Sequence, residues 1–172
     1  MESLAFILST LGTICICVPP LLKGKSMKLI LLLVFSANVL VAVSYLLTGE
    51  YNGAASCFVG AAQSLINYFF DKNNKKLPKW LIVIYALAFI GVNLWVFKQV
   101  FDLIAMVASL TFIMCVGQKS GRKYRIWTFI NTALWMIYDL LGAAYGPLIT
   151  HSILLCTVIS GVIMHDICKK EL

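Results

Sequence analysis

The chain has 172 residues, the length of one domain. Hydrophobic residues make up 61% of it and charged residues 12%, and the mean hydropathy is +0.92. So few charges cannot coat a soluble globule, which excludes a disordered chain, a soluble binding domain and a soluble enzyme.

Seven apolar runs follow one another along the chain. The first, about residues 4–22, starts behind Met1-Glu2-Ser3, which lacks a positive n-region, so a permanent helix is expected. The second and third cover about 28–47 and 53–70. A charged hinge from Asp71 to Lys79 separates them from the fourth, about 80–97. The fifth covers about 100–117, after a tight turn near Lys98. A polar hinge from Gln118 to Arg125 precedes the sixth, about 124–142, and the seventh covers about 147–166. A bilayer-spanning helix needs about 20 mainly apolar residues. The run lengths therefore predict an all-α membrane protein of seven transmembrane helices, with residues 1–172 forming one integral membrane domain.

Charge predicts its orientation. With seven spans and the N-terminus outside, 13 of the 14 basic residues fall on the inner side, and only Lys98 falls outside. The inner set is Lys23, Lys25 and Lys28, then Lys72, Lys75, Lys76 and Lys79, then Lys119, Arg122, Lys123 and Arg125, then Lys169 and Lys170. Clusters of this kind orient a chain and meet anionic lipid headgroups. They account for the net charge of +7 without a nucleic-acid partner. Trp80 and Tyr124 at inner ends, and Tyr51 and Trp95 near outer ends, fit an interfacial aromatic belt.

Sliding the chain on itself by 93 residues aligns Asn38 with Asn131, Tyr45 with Tyr138, Gly49 with Gly142 and Gly53 with Gly146. The expected organisation is therefore two parallel three-helix repeats, about 4–70 and 97–163, joined by a linker helix at about 80–97. Asn38, Ala42, Tyr45 and Gly49 share one helix face, as do Asn131, Trp135, Tyr138 and Gly142. A mid-membrane amide is costly unless it is paired or faces inward. A solute site lined by Asn38, Tyr45, Asn131, Trp135 and Tyr138 is expected there, with Gln63 of the third span nearby.

Asp139 and His151 lie at similar depth across the short connection from Gly142 to Pro147, a candidate gate or proton relay. Pro19 and Pro20 interrupt the first span and are candidate hinge residues. His165 and Asp166 sit at the inner boundary and are expected to be hydrated. Cys15, Cys57, Cys115 and Cys156 lie within apolar runs, where a thiol acts as a small hydrophobe. No nucleophile elbow, zincin motif, phosphate loop or dinucleotide fingerprint occurs, so neither an enzyme nor a cofactor or metal site is expected.

Arg125-Ile126-Trp127, the run from Ala133-Leu134-Trp135 to Met136-Ile137-Tyr138-Asp139, and Gly142 with Gly146 resemble the YgjV-like family of bacterial inner membrane proteins. The resemblance implies a multi-pass inner-membrane location and supplies no substrate. More remotely, the helical plan is similar to that of SWEET and PQ-loop transporters, which implies movement of small solutes by alternating access. Two of their features are missing. Only the first span carries a mid-run proline pair, and Gln63 and Asn67 meet Cys156 and Ser160 where SWEETs have paired asparagines.

The expected function is a small-solute transporter or facilitator taking a polar, uncharged, sugar-like or nucleoside-like solute. The alternative is a structural or regulatory membrane protein without transport. The expected partners are membrane lipids and that solute, and the sequence leaves a homo-oligomer open.

Overall fold

The computed structural model describes residues 2–22, 27–49 and 51–168. Lys23, Gly24, Lys25, Lys169 and Lys170 lie outside the described residues. The helices are α1 (Glu2–Cys17), α2 (Met27–Thr48), α3 (Tyr51–Lys72), α4 (Lys79–Val96), α5 (Asp102–Val116), α6 (Gly121–Leu141) and α7 (Tyr145–Val162). Local chemistry sets many of their ends. Pro19 and Pro20 lack the N–H groups that would continue α1, and the chain turns there as a short 3₁₀ segment, Pro19–Leu21. Pro78 precedes the first residue of α4 in an extended conformation. Gly49 ends α2 at φ +80°, a left-handed angle that favours glycine.

Two helix ends use that angle without glycine. At the end of α3, Asn74 is left-handed and the Lys75 N–H donates to the Phe70 carbonyl at 2.9 Å. At the end of α6, Ala143 is left-handed, and the Ala144 N–H donates to the Asp139 carbonyl at 2.8 Å. Both are six-to-one closures that satisfy a terminal carbonyl.

Within the bundle, α2 lies between α1 and α3, and α6 lies between α5 and α7. Helix α4 packs against α3 and α5, and α7 returns to α1. Small residues permit the closest approaches. A side chain on Gly12 would strike Val41, and one on Gly60 would strike the Asn38 amide. One core cluster joins Ile30, Leu31 and Val34 of α2 to Val116 of α5 and Tyr124 of α6. Another joins Leu81, Tyr85 and Phe89 of α4 to Ile113 of α5. Phe6, Ile84, Leu87 and Trp95 point outward, as a lipid-facing surface requires.

The seven-span expectation is corrected. Seven α-helices form, but by length and hydropathy four of them, not seven, qualify as membrane spans among the described residues: Ser3–Leu21, Met27–Thr48, Lys79–Val96 and Pro147–Ile167. Helix α5 is apolar, but its 15 residues give only about 22 Å at 1.5 Å per residue, against a hydrocarbon core of about 30 Å. Helices α3 and α6 are long enough but too polar. Gln63, Ser64 and Asn67 are buried on α3, and Arg125, Thr128, Asn131, Thr132 and Asp139 on α6. A 3+1+3 arrangement of seven transmembrane helices therefore does not describe the chain. Tyr124 also departs from its expected place in the interface belt: it is buried in the core, whereas Tyr51, Trp80 and Trp95 are exposed.

Candidate functional site

Aromatic and acid–base side chains converge where α6 ends and α5 and α7 begin. Trp135, Tyr138 and Asp139 occupy the last turns of α6. The Ala143 closure fixes the path of the chain after Asp139, and His151 follows on the second turn of α7. Its Nδ1 lies 2.6 Å from Asp139 Oδ2. Facing a carboxylate, Nδ1 carries the proton and donates it, which leaves Nε2 as the other proton site of the ring. Asp139 is 3% exposed and the His151 side chain 22%, so the imidazole stands between the carboxylate and the outside.

The His151 ring stacks on Trp135, with centroids 6.0 Å apart and planes 12° from parallel. Trp135 meets the Tyr138 ring edge to face at 5.7 Å. The Tyr138 hydroxyl makes a long contact, 3.4 Å, to Asp102 Oδ1. Asp102 Oδ2 accepts the Lys98 and Gln99 N–H groups at 2.7 and 2.8 Å. Burial raises the Asp102 pKa, but the two backbone donors, the Tyr138 hydroxyl and the Lys98 charge outweigh it and hold the carboxyl below its ordinary value. The result is one connected cluster from the α4–α5 turn to α7.

The remaining residues of the expected solute site lie elsewhere. Asn38 Nδ2 donates to the Val34 carbonyl at 2.8 Å, and its oxygen packs on Gly60 of α3. Asn131 Nδ2 donates to the Ala108 carbonyl and to Thr111 Oγ1 of α5, at 2.6 and 2.9 Å. The two amides are thus engaged with different neighbours, α3 and α5. The Tyr45 ring covers Gly53. Gln63 is fully buried, and neither its amide nitrogen nor its oxygen has a hydrogen-bond partner among the described residues; the same holds for the Thr132 hydroxyl. Pro19 and Pro20 are buried, with the Pro20 carbonyl pressed on Gly161.

At the other end of the bundle, Lys119 Nζ reaches the Lys75 carbonyl at 3.4 Å and so links the two basic hinges. A cavity of about 20 Å³ beside Asn67, Asp71, Lys75 and Lys119 has room for one water. Sequence reasoning missed an ion pair nearby. Arg125 donates through Nε and Nη2 to Asp166 at 2.9 and 2.6 Å, and both side chains are nearly buried rather than hydrated. Its signal was a charge inside each of two helical runs, but nothing in the spacing paired them.

Among the described residues, no group of three or more His, Cys, Asp or Glu side chains is placed to hold a metal ion. An all-α bundle with several spans and an apolar exterior defines a multi-pass membrane protein. Residues 4–167 match the YgjV family of bacterial inner membrane proteins, and the chain belongs to that family. No match is found among curated proteins or among solved structures.

Proposed function

We propose that the protein is a small-solute transporter or facilitator of the inner membrane that works by alternating access. Its solute, polar and uncharged, sugar-like or nucleoside-like, engages the cluster of Trp135, Tyr138, Asp139 and His151. One observation carries this reading: a carboxylate 3% exposed lies 2.6 Å from an imidazole that itself stacks on a tryptophan. An ionisable group in a membrane bundle is expensive and marks a functional site by default. Trp135 and Tyr138 supply flat apolar walls for a sugar or base, and a paired acid and imidazole supply hydrogen bonds without inviting a charged ligand. The unpartnered Gln63 amide supplies a donor and an acceptor deeper in the bundle. The end bearing the Lys75 and Lys119 hinges faces the cytoplasm, where basic loops and anionic headgroups belong.

The test is a thermal-shift screen of purified protein against sugars, nucleosides, vitamins and amino acids, followed by uptake into proteoliposomes. A stabilising solute whose uptake is lost in Trp135→Ala supports the reading. If no solute shifts the melting temperature and none is taken up, a structural or regulatory role without transport replaces it. The Asn38 amide, bonded within its own helix and packed on Gly60, and the Asn131 amide, bonded to α5, favour that second reading.

A further inference from the structure

The 3₁₀ turn after α1 is held by an unusual set of contacts. A chain that stops being helical leaves carbonyls that need donors. Inside the turn, the Leu21 and Leu22 N–H groups serve Val18 and Pro19. The Leu21 and Leu22 carbonyls are served from far along the chain. His165 Nε2 donates to the Leu21 carbonyl at 2.7 Å, and Arg125 Nη1 donates to the Leu22 carbonyl at 3.2 Å. Arg125 is fixed in turn by its two bonds to Asp166. His165 and Asp166 fall within a π-helical turn, Ile163–Ile167, that extends α7; such turns are rare and cluster at functional sites. One turn earlier, Gly161 lets the Pro20 carbonyl approach so closely that a Cβ there would lie 2.2 Å from its oxygen.

We propose that Arg125, His165 and Asp166, closed on the Pro19–Leu22 turn, form the latch that seals the basic end of the bundle. The latch ties the first helix to α6 and α7, which are more than 100 residues away in sequence. Three polar links and one bare backbone contact hold it, over the buried rings of Pro19 and Pro20. Breaking these links is the step that would release the turn, as a gate requires. Its purpose rests on the alternating-access reading, in which this end opens when the opposite end is shut, but its existence can be tested without any solute.

Cys17, one residue before Val18, provides a native probe. It is buried against Leu154 and Val158 of α7 and becomes accessible when the turn leaves that helix. Purified protein is treated with a small maleimide, and the labelled cysteines are identified by peptide mass spectrometry. Asp166→Asn and Arg125→Gln should each speed Cys17 labelling at least about tenfold, because each leaves a buried polar partner unpaired. The exposed Cys156 should label at its original rate, and the buried Cys115 should stay protected. Joining Leu21→Cys to His165→Cys through a disulfide should abolish Cys17 labelling in a protein that is otherwise wild type. The latch is overturned if Cys17 labels at the wild-type rate in both single variants. It is equally overturned if Cys115 labels in step with Cys17, which is global unfolding, while the disulfide gives no protection. Neither result touches the solute screen, which stands or fails separately.

Discussion

Arg125 and Asp139 lie fourteen residues apart on α6, about 21 Å along the axis, and each is bound to α7 by an acid–base partner. The sense reverses between the two ends. At the basic end α6 gives the base and α7 the acid; at the other end α6 gives the acid and α7 the imidazole. The antiparallel pair is thereby pinned at both ends in a single register.

For Asp139 and His151, a double-mutant cycle should show strong coupling. Asp139→Asn and His151→Gln each remove the pair, and the double variant should be less destabilised than their sum by roughly 1–3 kcal/mol. Reversible unfolding in mixed micelles measures it. Additive effects would mean that the two side chains are held independently.

Ala143 is the strained residue of the α6 closure, since its φ of 52° suits glycine better than alanine. Ala143→Gly should raise stability by about 1 kcal/mol and leave the cluster undisturbed. A fall in melting temperature would show that the Ala143 methyl contributes more than its backbone angle costs.

Gln63 is buried with both amide atoms unpartnered among the described residues, a cost of about 1–3 kcal/mol. Gln63→Leu keeps similar volume and removes the polar atoms, so the melting temperature should rise. If the amide serves a solute, that gain comes with loss of ligand-dependent stabilisation in the same protein. A variant less stable than wild type would show that the amide is satisfied in the membrane.

Asp102 gives a pH dependence whose sign is fixed. Its folded-state pKa is depressed, so its contribution is present above the unfolded value, about 4, and is lost as pH falls through the folded value. Asp102→Asn should therefore melt below wild type near pH 7, and the gap should close on acidification below about pH 4. A gap that stays constant with pH would remove the charge from the account.

Much of the helical layout was legible because proline and glycine act locally. Pro19, Gly49, Pro78 and Gly142 punctuate the chain close to where its helices stop or start. Asp139 and His151 could be placed near each other because only twelve residues and one tight turn separate them. Arg125 and Asp166 could not, because 41 residues intervene and their pairing depends on which helices become neighbours. The span count went astray for a related reason. A run of mostly apolar letters reads as a span, but α3 and α6 bury their amides and charges against other helices instead of presenting an apolar surface all round. The 93-residue offset likewise aligns Asn38 with Asn131, yet one amide packs on α3 and the other on α5. Identical letters at matched positions do not fix the partner.

The polar character of α6 has a consequence for biogenesis. While the bundle assembles, neither of its buried charges has its partner until α7 packs beside it, because Asp166 and His151 both belong to the segment that follows α6. A helix carrying an unpaired arginine and an unpaired aspartate has no reason to leave water for lipid. Its place in the bundle therefore depends on α7, which brings the partner of each charge. A chain cut before residue 151 would lack both partners and leave the two charges of α6 uncompensated.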